Sequence, residues 1–160
     1  MKNETILISG ASSGIGRATA MLLAKSGRNL ILTGRRSDRL TELKRELELL
    51  GVQVFTGVFD IQSRKETEAF VSTIPEKFQS IRVLVNNAGL AAGLSSIQDG
   101  DIDDWDQMID TNLKGLLYLT KGLIPLLSLV EGAQIINIGS IAGKEVYPNG
   151  NVYCASKHAV

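Results

Sequence analysis

The sequence predicts an α/β fold, a doubly wound parallel sheet with helices on both faces. Two observations carry that expectation. Short runs of Val, Ile and Leu alternate with stretches of helical apolar spacing along all 160 residues, and strands separated by helices pair in parallel. The 16 glycines cluster where apolar runs end, against only 3 prolines, and that placement marks tight strand-to-helix turns.

The elements follow in order. Thr5 to Ser9 is a short strand that stops at a glycine-rich turn, and Ile15 to Ser26 continues with Ile15, Ala18, Leu22 and Leu23 at helical spacing. Asn29 to Thr33 is a second strand. Ser37 and Asp38 are suited to cap a helix over Arg39 to Leu50, where Leu40, Leu43, Leu47 and Leu50 form one stripe and Gly51 closes the helix. Val52 to Phe59 is the third strand. A polar helix from about Ser63 to Phe78 leads to the fourth, Ile81 to Val85, which ends in Asn86-Asn87-Ala88-Gly89 and a loop to about Gly100. Asp101, Asp103 and Asp104 suit the positive end of a long helix reaching about Leu129, with Pro125 as a kink or early stop. Gln134 to Ile138 is the fifth strand, and Asn151 to Val160 has the composition of a helix start. No linker or repeat interrupts the pattern, so one domain over residues 1–160 is expected.

Lys plus Arg number 17 and exactly offset 17 Asp plus Glu, while 44% of residues are apolar. That balance excludes a disordered polyelectrolyte and provides no overall field for nucleic acid or an anionic membrane. Cys154 is the single cysteine; it can form no internal disulfide and offers no set of metal-binding thiolates, so no metal site is expected and a cytoplasmic setting is. Met1 to Glu4 is polar, Ile6 to Ile8 is too short for a signal-peptide core, and Leu113 to Val130 is broken by Lys114, Lys121 and Pro125. No membrane segment is expected.

Ser9-Gly10-Ala11-Ser12-Ser13-Gly14-Ile15-Gly16 joins the first strand to the first helix. In a doubly wound sheet this is where a dinucleotide pyrophosphate binds, because glycines admit the phosphate to the backbone and the helix N-terminus offers unpaired N–H groups. The end of the second strand reads the adenosine ribose. An acidic residue there would favour NAD, but Arg35 and Arg36 occupy the place, and a 2′-phosphate needs cations. NADP is therefore expected over NAD. Asp60, at the end of the third strand, has two readings from its chemistry alone: a helix cap or a ligand contact.

Tyr153 and Lys157 are four residues apart and share one helix face. An ammonium beside a phenol favours the phenolate. Ser140 directly follows the fifth strand, where hydroxyls face the ligand crevice. Cys154 is read as a small packing residue, His158 as structural or exposed, and Trp105 as packing. Tyr147 and Pro148 are candidates for lining a substrate pocket.

The glycine spacing Gly10, Gly14, Gly16 resembles the fingerprint T-G-x-x-x-G-x-G of the short-chain dehydrogenase/reductase family, with Ser9 in place of the threonine. Asn86-Asn87-Ala88-Gly89 resembles the family's N-N-A-G, and Asn112, Ser140, Tyr153 and Lys157 match its catalytic tetrad in order. The resemblance implies that Gly10, Ser12, Ser13, Gly14, Ile15 and Gly16 hold the cofactor phosphates and Arg35 and Arg36 the 2′-phosphate. It further implies that Asp60 and Ile61 contact adenine, and that Asn87, Ala88 and Gly89 line the ribose. Tyr153 would then be general acid or base, Ser140 would polarise the substrate oxygen, Lys157 would bind the nicotinamide ribose, and Asn112 would anchor a water in a proton relay.

The implied activity is hydride transfer between NADP(H) and a carbonyl or secondary alcohol, in a homo-oligomer, dimer or tetramer. Family members continue beyond the Tyr-x-x-x-Lys helix into two more strands, so the expectation is a Rossmann domain incomplete at its C-terminus. A nucleotide-binding fragment without catalysis is the alternative reading.

Overall fold

The computed structural model describes residues 4–160; Met1, Lys2 and Asn3, most of the polar N-terminal stretch, lie outside the described residues. Five strands, β1 (Thr5–Ile8), β2 (Asn29–Gly34), β3 (Val54–Val58), β4 (Ile81–Asn86) and β5 (Gln134–Asn137), form one sheet in the order β3-β2-β1-β4-β5. All four pairings are parallel. The chain first winds outward through β2 and β3, then returns to the far side of β1 to add β4 and β5. The direction of winding therefore reverses between β1 and β4, and the crevice beyond their carboxyl ends is where such sheets bind ligands.

Alternate residues of each strand feed two cores. Ile6, Ile8, Leu30 and Leu32 face α1 (Gly14–Lys25) and α2 (Ser37–Glu48), meeting Ala20, Ala24, Leu40, Leu43 and Leu47. Leu7, Ile31, Ile81 and Leu84 face the other way, toward Phe70 of α3 (Arg64–Ser72) and Leu119, Leu123 and Leu127 of α5 (Leu116–Leu127). This is the two-faced, doubly wound arrangement expected from the alternation of runs.

Several local expectations are corrected. In α1, Ile15 and Leu22 are 63% and 67% exposed, while Gly16, Ala20 and Ala24 are buried. Small residues bring this helix close to the sheet, so Ile15 and Leu22 are displaced outward, while Leu23 packs partly buried against the core as its spacing suggests. The α2 helix begins at Ser37, with Arg36 at the N-cap and no side-chain cap. Leu50 lies beyond its end and is exposed. The helix expected over Ser63 to Phe78 stops at Ser72, and a separate 3₁₀ turn, Glu76–Phe78, follows Pro75. Proline at 75 disfavours the helical conformation of the residue before it.

The long helix also differs. It runs as α4 (Ile102–Ile109), one π turn (Asp110–Gly115) and α5, and it passes through Pro125 to Leu127. The irregularity thus lies in the middle rather than at the proline. Asp101 caps α4 by accepting from the Asp103 backbone N–H at 2.9 Å, as its position suggests. At the outer side of the sheet, β5 pairs with β4, and Ile135 and Ile136 are 42% and 44% exposed. The last element is α6 (Asn151–Ala159). Among the described residues no helix is long and apolar enough to cross a membrane, and no group of three or more His, Cys, Asp or Glu could hold a metal ion.

Candidate functional site

The turn after β1 is shaped by its glycines. Gly10 has φ +65°, and a Cβ there would lie 2.8 Å from Ala88 Cα, so this position brings the turn against the end of β4. Gly14 has φ +54° with open space where a side chain would be. Ser13 is the N-cap of α1 but its side chain does not cap. The first-turn N–H groups of the helix consequently have no intrahelical partner and no cap, the condition that favours an anion.

Two hydrogen-bond clamps join this turn to Asn87 and Ala88. Ser9 Oγ accepts from the N–H groups of Asn87 (3.1 Å) and Ala88 (3.0 Å), a role that needs a hydroxyl and explains why serine suffices there. In return, Asn87 Nδ2 donates to the carbonyls of Ser9 (2.8 Å) and Gly10 (3.1 Å).

At the end of β2 the two arginines diverge. Arg36 turns back onto the glycine turn, with Nε donating to Ser12 Oγ at 3.1 Å and Nη2 to Ser12 Oγ at 2.9 Å and Ser13 Oγ at 2.6 Å. It has no carboxylate among the ion-pair partners of the described residues, so a fixed guanidinium and two hydroxyls make an uncompensated cationic corner. Arg35 reaches toward Asp60, with Nη1 3.8 Å from Oδ2.

Asp60 does not cap α3. Ser63 does, accepting from the Glu66 N–H at 3.2 Å, while Asp60 Oδ1 accepts from the Gln62 N–H at 3.0 Å. Its other oxygen, Oδ2, lies toward Arg35 at the cavity wall.

At the opposite end, Tyr153 and Lys157 project from α6. Lys157 Nζ donates to the Ile138 carbonyl at 3.0 Å, and it would lie 3.5 Å from a Cβ on Gly89. Asn112, 2% exposed, sits in the π turn. Its Oδ1 accepts from the Leu90 N–H at 2.9 Å, and its Nδ2 donates to the Leu90 carbonyl at 2.9 Å and to Ser156 Oγ at 3.0 Å. Ser156 Oγ in turn donates to the Tyr153 carbonyl at 2.8 Å. Asn112 therefore ties the loop after β4 to the helix that carries Tyr153 and Lys157. Ser140 Oγ accepts from the Ala142 N–H at 3.2 Å and begins the 3₁₀ turn Ile141–Gly143.

One cavity of about 670 Å³ spans both ends, within the usual range for a cofactor site. Gly10, Ser12, Ser13, Gly14, Ile15, Arg35, Arg36, Asp60, Ile61, Asn87, Ala88, Gly89, Tyr153 and Lys157 line it. Gly16, Asn112 and Ser140 are outside its wall: Gly16 lies beneath the turn, Asn112 is used in its clamp, and Ser140 follows the lining residue Gly139.

Thr33, Thr111 and Ile138 also line the cavity, and Ser156 braces it from behind. The motifs of the sequence do not single these residues out. The available signals were position alone: Thr111 precedes Asn112, and Ser156 precedes Lys157.

Cys154 is buried and free, as a packing residue would be. His158 is exposed. Tyr147 and Pro148 are exposed and do not line the cavity. Desolvation, then the nearby Cys154 and Tyr153, raises the Tyr147 phenol above its ordinary value.

A family model described as short chain dehydrogenase matches residues 4–160. Sulfoacetaldehyde reductase 2 of Chromohalobacter salexigens is 47% identical over 156 residues, covering 97% of this chain and 62% of that protein. An NADP-dependent 3-hydroxy acid dehydrogenase of Salmonella typhi is 43% identical over 152 residues, covering 95% of this chain and 60% of that protein. The chain thus spans about three fifths of the length of these curated relatives. Among solved structures, the closed form of serine dehydrogenase complexed with NADP+ superposes with a TM-score of 0.90 at 40% identity, covering 96% of this chain and 61% of that one.

Proposed function

Because the chain belongs to the short chain dehydrogenase family, we propose that it acts as an oxidoreductase moving hydride between NADP(H) and a carbonyl or secondary alcohol. The observation that carries this reading is one continuous cavity with a cationic corner at Arg36 and a Tyr153–Lys157 pair at its other end. Either feature alone is common; a dinucleotide phosphate needs both ends of one cleft.

The residues fit NADP(H). The uncapped start of α1 and the positive-φ Gly10 and Gly14 would take the pyrophosphate. Arg36, with Ser12 and Ser13, would hold the 2′-phosphate, and Arg35 would close over it from the Asp60 side. Asp60 and Ile61 would receive adenine, while Asn87, Ala88 and Gly89 would line the ribose. The names of the 3-hydroxy acid dehydrogenase and the serine dehydrogenase complex support NADP as the cofactor.

When bound, the nicotinamide supplies the hydride in reduction and accepts it in oxidation. Tyr153 Oη would give its proton to the substrate oxygen in reduction and take it back in oxidation. Ser140 would donate a hydrogen bond to that same oxygen, and Lys157 would hold the nicotinamide ribose hydroxyls. Asn112 would keep the Tyr153 helix in register, and its neighbourhood would anchor the water through which the proton is replaced. The exposed Leu117 and Ile124 on α5 support assembly as a homo-oligomer, a reading that a monomeric mass in light scattering would count against.

The cofactor preference is tested at Arg36. Replacing it with Ala removes the charge-assisted donors without disturbing a core residue, and such bonds contribute about 1.5–3 kcal/mol. Arg36→Ala should weaken NADPH about tenfold or more and leave NADH within twofold. The assay is reduction of a panel of small aldehydes and ketones with each cofactor. Equal losses for both cofactors would remove the 2′-phosphate from this corner.

A further inference from the structure

A threonine within a helix can return its hydroxyl proton to the carbonyl one turn before it. Thr67 does so, bonding the Ser63 carbonyl at 3.0 Å. Thr111 does not. It lies in the π turn between α4 and α5, is 7% exposed and lines the cavity. Its Oγ1 accepts a hydrogen bond from Gln62 Nε2 at 2.8 Å, and no acceptor among the described residues takes its own proton. A hydroxyl has one proton to give. With the Gln62 amide on one lone pair, that proton is left for the cavity.

Gln62 fixes a second wall of the same corner. Its backbone N–H donates to Asp60 Oδ1 at 3.0 Å, so one residue orients both Asp60 and Thr111. Gly115 lets the two walls approach, since a Cβ there would sit 2.9 Å from Ile61 Cγ2 and 3.0 Å from the Ile61 carbonyl oxygen. The corner thus presents a carboxylate that only accepts, an apolar side chain, and a hydroxyl poised to donate. Adenine offers the complement: an amino donor, a flat face and ring nitrogens that accept.

We propose that Thr111 Oγ1 donates a hydrogen bond to a ring nitrogen of the cofactor's adenine, making Thr111 a base-reading residue oriented by Gln62. This rests on the reading of the cavity as an NADP(H) site.

The test is titration of NADPH and of adenosine 2′,5′-bisphosphate, which carries only the adenosine half, into the protein and its variants. Thr111→Val, nearly the same shape without the hydroxyl, should weaken both nucleotides about fivefold. Thr111→Ala should do the same if the valine is poorly accommodated, and Thr111→Ser should stay within twofold of the parent. A Thr111→Val or Thr111→Ala protein that binds adenosine 2′,5′-bisphosphate as the parent does overturns the proposal. So does a loss confined to NADPH, because the effect would then lie at the nicotinamide end. Failure of the parent protein to bind either nucleotide would instead bring down the cofactor reading itself, and this proposal with it.

Discussion

Tyr153→Phe should lower turnover about a hundredfold or more while leaving NADPH affinity within about twofold. The substitution deletes one oxygen and keeps the ring that lines the cavity. Nothing else at that end depends on the phenol: Lys157 is held by the Ile138 carbonyl, and the register of α6 is held by Ser156 and Asn112. A proton must still reach or leave the substrate oxygen, and water is a poor substitute for a positioned acid. Steady-state kinetics with a saturating carbonyl, beside a fluorescence titration of NADPH, separates the two effects. Tyr147 is the internal control, because its phenol lies off the cavity wall. Tyr147→Phe should keep turnover within a few-fold. If Tyr153→Phe retained its turnover, the proton would have to be exchanged by another group.

Gly16→Ala should destabilise the protein by about 2–3 kcal/mol, against the direction that helix propensity predicts. Alanine is favoured over glycine within a helix by about 1 kcal/mol, and Gly16 has no left-handed backbone to protect. Its constraint is space. A Cβ would stand 2.5 Å from Asn87 Nδ2 and 2.6 Å from the Gly10 carbonyl oxygen, so the helix must lift or the Asn87 clamp must open. Overpacking of this kind costs about 1–3 kcal/mol, and each clamp bond lost adds about 1 kcal/mol. The same shift spoils the phosphate cradle, and NADPH should weaken at least about tenfold. Urea unfolding and cofactor titration provide the two readouts. Gly14→Ala is the contrast: open space surrounds it, so only its backbone conformation is taxed, by about 1–2 kcal/mol. A Gly16→Ala protein as stable as its parent would show that the turn does not press on Asn87.

What could be read in the sequence was what repeats or sits at a fixed offset. The alternation of strand and helix fixes a parallel sheet, and the glycine turn, Asn87-Ala88-Gly89, Arg36, Tyr153 and Lys157 all converge on one cavity. What escaped depends on packing distance. Ile15 and Leu22 have helical spacing, yet Gly16, Ala20 and Ala24 form the buried face, because close approach to the sheet selects small side chains. Pro125 is the evident breaker in its helix, but the irregularity falls at Asp110–Gly115, where no residue type announces it. There the extra residue of the π turn directs Thr111 to the cavity and Asn112 to its clamp. Arg36 was legible as a charge, whereas its attachment to Ser12 and Ser13 required the fold.

We propose that this chain builds an NADP(H) site from the glycine turn and the Arg36 corner. Titrating the protein with NADPH and NADH side by side, by quenching of intrinsic fluorescence or by calorimetry, tests it most directly. Binding should be saturable and one-to-one, with NADPH tighter by about tenfold or more, the factor expected of a charge-assisted phosphate contact. Binding of NADH as tight as NADPH, or of neither, would contradict it.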